Sequence, residues 1–157
     1  VMSENVNISY LNRCKIQSET LIPVTKTLED EIGKESAHVI ISKALRGSTR
    51  SFYENLRKDF KGNPIDLIVG GFPMFSADGA LEYEVLSQTE NSYDVNITRC
   101  AYAEFYKGLG EPELGFLFMC DLDYAIAEGL GPDIEFKRTQ TIMQGASYCD
   151  FRYRRIN

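Results

Sequence analysis

The sequence is poor in histidine: His38 stands alone among 157 residues. A metal site built from several histidines is excluded by count, and a Cys–His nucleophilic pair would have to use His38. On a helix between Ala37 and Val39, that side chain reads first as a partly buried, satisfied one. The four cysteines, Cys14, Cys100, Cys120 and Cys149, lie far apart. There is no Cys-x-x-Cys and no zinc-finger spacing, so neither a metal nor a cofactor is expected. Long apolar runs are missing too. Stretches such as 115–120 and 39–41 fall far short of the ~18 residues of a membrane span, so no membrane partner is expected. Val1-Met2-Ser3-Glu4-Asn5 lacks the basic-then-apolar order of a secretion signal, which points to a cytoplasmic, reducing location with free thiols. Gly70-Gly71 is not followed by Gly-Lys-Ser/Thr, so it makes no phosphate loop. Heptads, repeats and low-complexity segments are absent, which leaves little support for a purely structural protein. Basic residues are in the minority, 17 Lys/Arg against 23 Asp/Glu, for a net charge of −6. Nucleic acid is therefore not an expected partner.

What is present suits one globular domain over residues 1–157. At 43% hydrophobic, a chain of this size buries roughly 70% of its unfolded surface and needs no staples. Charge is uneven. Residues 1–62 hold ten Lys/Arg and eight Asp/Glu, whereas residues 63–157 hold seven and fifteen.

Apolar periodicity predicts a helix over 10–32, with Pro23 inside it and Gly33 as its stop. A second helix is predicted over 34–59, bent near Gly47-Ser48 and closed by Gly62-Asn63-Pro64. This N-terminal helical part ends near residue 62. Residues 65–80 read as less regular: 65–69 fits a short helix or a strand, and loop signals follow at 70–73 and 76–79. Two alternating runs, Leu81/Tyr83/Val85 and Tyr93/Val95/Ile97, predict a β-hairpin around 89–92. A short helix follows from Cys100 to Lys107, then a longer one from Glu111 to about Glu128, stopped by 129–132. Ile134, Phe136, Arg138, Gln140 and Ile142 share one face of a predicted strand. Cys149, Phe151 and Tyr153 share one face of another, with Gly145-Ala146 as the turn. The predicted class is α+β: N-terminal helices packed on a mainly antiparallel sheet of two β-hairpins, with two helices between them.

Chemistry concentrates in the acidic half. Asp121 and Asp123 interrupt the apolar run 116–127. Helical spacing puts Phe116, Cys120 and Asp123 on one side and Leu117, Asp121 and Ala125 on another. A buried carboxylate needs a partner, so each aspartate is either a surface or Arg-paired group or a cleft carboxylate for a cationic, amidine-like ligand. Cys100 and Glu104 are four apart on one helix face. They read either as halves of a site or as a core thiol and a surface acid. Arg138 and Arg152 are candidate clamps for a ligand carboxylate, with surface ion pairs as the plain reading.

These residues carry a resemblance. The chain reads Cys100-x-Tyr-x-Glu104, then Cys120-Asp121-Leu-Asp123-Tyr-Ala-x-Ala-Glu128-Gly. It ends Arg138-Thr-x-Thr141-x-x-x-Gly145-x-x-x-Cys149-Asp150-Phe151-Arg152. Over about 98–155 this resembles the L-2-amino-thiazoline-4-carboxylate hydrolase family. More weakly, at the level of fold, the ending is similar to vinyl-four-reductase-type ligand-binding domains. The first resemblance implies hydrolytic opening of a cyclic isothiourea to a carbamoyl-cysteine, cutting a C–N or C–S bond. For that reaction the candidate catalytic residues are Cys100, Cys149, Asp121 and Glu104, and the candidate substrate-binding residues are Asp123, Arg138, Thr141 and Arg152. Cys120 is a further candidate thiol. The second implies a non-catalytic small-molecule binding domain. Either way the expected partner is a small molecule, and a homo-oligomer is left open.

Overall fold

The structure is a computed structural model and describes residues 7–156. The opening segment read for a secretion signal therefore lies outside the described residues. Three helices come first: α1 (Tyr10–Ile32), α2 (Lys34–Asp59) and α3 (Pro64–Ser76). Ser9 caps α1, its hydroxyl accepting from the Asn12 amide at 3.3 Å. Gly33, at φ +85°, separates α1 from α2, a backbone state that favours glycine. Pro23 lies within α1 and Gly47 within α2, and neither ends its helix.

The segment read as less regular forms most of α3. Asn63 caps it by accepting from the Ile65 amide at 3.1 Å, and Pro64 occupies its first turn, where a missing N–H costs nothing. Ile65, Ile68 and Phe72 are buried at helical spacing. Burial of such side chains, about 1.5–3 kcal/mol each, outweighs the ~1 kcal/mol that each of Gly70 and Gly71 costs in a helix.

Strands β1 (Leu81–Thr89) and β2 (Ser92–Cys100) form the expected hairpin. Helices α4 (Ala101–Gly108), α5 (Pro112–Gly115) and α6 (Leu122–Leu130) follow, then β3 (Ile134–Lys137) and β4 (Cys149–Arg155). All strand pairs are antiparallel, in the order β1-β2-β4-β3. The fold is therefore α+β as expected, with the second hairpin docked on the first through β2 and β4. Two boundaries differ from the sequence reading. The helix expected over 111–128 is interrupted by a π-turn, Phe116–Cys120, in which the Asp121 amide bonds the Phe116 carbonyl five residues back at 2.9 Å. The strand expected to reach Ile142 stops at Lys137. Beyond it, Arg138 bonds inward to Asp123, and the Asp150 carboxylate takes the Thr139 and Gln140 amides, each at 2.9 Å.

Alternation along β2 and β4 turns Tyr93, Val95, Ile97, Cys149, Phe151 and Tyr153 to one face. There they pack with α3, α6 and β3 as the main core. No helix among the described residues is long and apolar enough to cross a membrane.

Candidate functional site

A cavity of about 120 Å³ lies inside this core. Its body is apolar: Leu67, Ile68, Phe72 and Phe75 from α3, Ile97 from β2 and Ile126 from α6. Tyr10 of α1 and Tyr53 of α2 complete the wall. An apolar cavity of about 150 Å³ holds benzene, so this one is sized for a single ring.

One end is polar. Asp123, in the first turn of α6, and Arg138, just after β3, both line the cavity and are bonded to each other through Arg138 Nη1 and Asp123 Oδ2. Arg138 Nη2 donates to the Cys120 carbonyl at 3.0 Å. The guanidinium is nearly enclosed, its side chain 3% exposed. It lies 5.3–5.8 Å from the ring centres of Phe116, Tyr124, Phe136 and Phe151, distances at which an aromatic quadrupole attracts a cation. Burial pushes the Asp123 carboxyl up to about 6 against the pull of Arg138. A carboxylate in that range gives and takes protons near neutral pH.

Three thiols, Cys100, Cys120 and Cys149, line the same cavity. Cys100 ends β2 and caps α4, accepting from the Ala103 amide at 3.4 Å. Cys120 closes the π-turn. Cys149 opens β4 and accepts from the Ile142 amide at 3.2 Å. Burial pushes Cys100 up to about 11 and raises Cys120 and Cys149 as well. All three are thus neutral thiols near pH 7, whereas a nucleophile must be a thiolate. His38 does not line the cavity: its Nε2 lies 2.7 Å from Glu29 Oε1, between α1 and α2. Among the described residues, no group of three or more His, Cys, Asp or Glu is placed to hold a metal ion.

Of the residues singled out in the sequence, the fold brings Cys100, Cys120, Cys149, Asp123 and Arg138 together. It does not bring the others to them. Asp121 points to α2, where Ser42 Oγ donates to it at 2.6 Å and Arg46 Nη1 at 3.1 Å. Glu104 is exposed and pairs with Arg99 at 2.8 Å; Cys100, as the helix cap, faces the cavity. Thr141 is buried outside the cavity lining, capping the 3-10 turn Ile142–Gln144 by accepting from the Gln144 amide at 3.1 Å. Arg152 lies on the other face of the sheet, donating to the Val95 carbonyl at 3.0 Å and to Asn96 Oδ1 at 2.9 Å. Asp150 organises the loop that carries Arg138, since the Thr139 hydroxyl also donates to it at 2.6 Å.

The cavity also holds residues that sequence reasoning left in the core. Tyr153 is 3% exposed and lines it, as do Tyr53 and Tyr102. The signal for Tyr153 was its place on the same strand face as Cys149.

Helices over one face of a four-stranded antiparallel sheet, closed on a cavity with one ionic end, define an α+β domain built around an internal small-molecule-sized space. The chain belongs to the L-2-amino-thiazoline-4-carboxylic acid hydrolase family, whose sequence model matches residues 13–153. The match reaches well beyond 98–155 and takes in the N-terminal helices. No curated protein sequence matches the chain. Among solved structures, it is similar to the phenol-responsive sensory domain of the transcription activator PoxR, determined with phenol. That likeness has a TM-score of 0.55 at 12% identity, covering 86% of this chain and 72% of that one. The unliganded Fe(II) H-NOX protein from K. algicida gives 0.46 at 11% identity, covering 89% and 74%. At 12% identity the PoxR likeness speaks for the fold alone.

Proposed function

We propose that this chain hydrolyses a small cyclic amidine bearing a carboxylate, of the 2-amino-thiazoline-4-carboxylate type, with Asp123 as the proton-transfer group. One observation carries the reading: a part-buried Asp123–Arg138 pair, its carboxyl raised to about 6, at the end of a one-ring cavity. A zwitterionic ligand complements such a pair, its amidine toward Asp123 and its carboxylate toward Arg138. Asp123 takes a proton from water as the water oxygen bonds to the amidine carbon. The ring C–S or C–N bond then breaks, and the proton passes from Asp123 to the departing sulfur or nitrogen. Arg138 holds Asp123 in place from within its aromatic enclosure. Cys100, Cys120 and Cys149 act as wall and as weak S–H donors beside the ring.

Incubation of the pure protein with 2-amino-thiazoline-4-carboxylate tests this. Opening at C–S frees a thiol that a disulfide reagent detects, whereas opening at C–N frees an amine. Asp123→Asn is expected to lower kcat by about 100-fold or more, the usual scale of general acid–base catalysis. Cys100→Ser and Cys149→Ser are expected to stay within about tenfold of the parent. Full activity in Asp123→Asn contradicts the assignment.

A second reading, a non-catalytic small-molecule binding domain, is favoured by the neutral state of all three cavity thiols. It predicts that the same compound, or another single-ring molecule, raises Tm without being consumed.

A further inference from the structure

The mechanism above leaves the Tyr153 hydroxyl on the cavity wall unused. Its ring is fixed from two directions. Register pairs Tyr153 with Phe136 across β3 and β4, and the two rings stack at 4.6 Å with 28° between planes. On β4 it shares its strand face with Phe151, whose ring lies 6.3 Å away. Tyr153 is 3% exposed and lines the cavity. Its hydroxyl has no hydrogen-bond partner among the described residues. It also retains accessible surface, unlike the Thr25 hydroxyl, which is fully enclosed without a partner. Asp123 and Arg138 line the same cavity. Tyr102 lines the same cavity in a different state, because its hydroxyl is already spent on the Phe75 carbonyl at 2.9 Å. A buried donor left unpaired costs free energy that a ligand acceptor recovers, and a donor on a locked ring meets that acceptor at one place.

We infer that Tyr153 is a specificity-determining residue: its hydroxyl donates to an acceptor atom on the bound ring, so the cavity selects single-ring molecules carrying a hydrogen-bond acceptor over bare hydrocarbon rings of the same shape. This rests on the cavity's being the ligand site and does not depend on turnover. For an amidine carboxylate, the acceptor is a carboxylate oxygen beside Arg138. A hydroxyl that only filled space would not discriminate between isosteres.

Pyridine and benzene differ by one ring acceptor and are otherwise isosteric, so they separate these cases. Titration of each into the intact protein, followed by backbone amide chemical shifts, gives their dissociation constants. Tyr153→Phe is expected to weaken pyridine about tenfold, one hydrogen bond's worth, and to leave benzene unchanged or tighter. Tyr102→Phe, which removes a hydroxyl already bonded within the protein, is expected to leave the pyridine-to-benzene ratio at its parental value. Equal loss for both probes in Tyr153→Phe, no loss for either, or failure of the parent to bind both overturns the inference. Turnover lost in Asp123→Asn with the pyridine preference intact in the same protein would separate the catalytic reading from this one.

Discussion

At the scale of single residues, Asp123 and Asp150 respond to folding in opposite directions. Burial raises Asp123 from its ordinary 3.8 to about 6. Between those values the folded chain holds more of that proton than the unfolded chain, so Asp123's contribution to stability falls as pH rises from about 4 to 6 and is constant above. Desolvation also opposes ionisation of Asp150, but the Thr139 hydroxyl and the Thr139 and Gln140 amides outweigh it and hold the carboxyl below its usual range. Its contribution is present above pH 4 and is lost as pH falls through the lowered value. Urea denaturation at several pH values isolates the first effect: the parent is expected to lose stability relative to Asp123→Asn from pH 4 to 6, and the difference then levels off. A constant difference contradicts the raised carboxyl. Much of this was legible in the residues. Arg138 on an apolar strand face, and Asp123 on the side of Phe116 and Cys120, are both polar groups where the pattern demands apolar ones. Glu104 shows the limit. Helical spacing placed it with Cys100, but a cap residue does not point along its helix face, and Arg99 was free to take the carboxylate.

At the scale of elements, α6 holds the site because it lies close against α2. Gly129 allows the approach: a Cβ there would meet the Arg50 carbonyl oxygen at 2.5 Å and the Tyr53 Cβ at 2.8 Å. Neither atom is the free end of a flexible side chain, so a methyl must push the helices apart. Gly129→Ala is expected to cost about 1–3 kcal/mol, the usual penalty of overpacking, and chemical denaturation measures it. A change within 0.5 kcal/mol would mean that the contact yields freely. Both hairpins, α1, α2, α4 and the run that holds α5 and α6 are readable from periodicity. The π-turn is not, because an apolar run such as 116–120 satisfies either helical period. Its effect is to give the turn one extra residue just ahead of Asp121 and Asp123, which then face α2 and the cavity respectively. Likewise α3 hid behind Gly70, Gly71 and Pro73, whose local preferences lose to the burial of Ile65, Ile68 and Phe72.

At the scale of the whole molecule, the count of one histidine and four cysteines takes on a specific meaning. The fold gathers three of those cysteines around one cavity and leaves His38 outside it, beside Glu29. Burial keeps those thiols protonated. Asp123 stands in the same cavity, its carboxyl raised by burial against the pull of Arg138, and is the group proposed for proton transfer. The cavity itself leaves no pattern in the sequence, since side chains from α1, α2, α3, β2, α6 and β4 bound it together. The pH dependence of kcat/KM for 2-amino-thiazoline-4-carboxylate tests this account most directly, because it reports the free enzyme's essential groups. The expected profile rises with pH, turns near 6 and is flat through neutrality, and Asp123→Asn abolishes that rise. A profile that instead keeps rising through pH 8 to 9 and disappears in Cys149→Ser or Cys100→Ser would give the chemistry to a thiolate and contradict the role of Asp123.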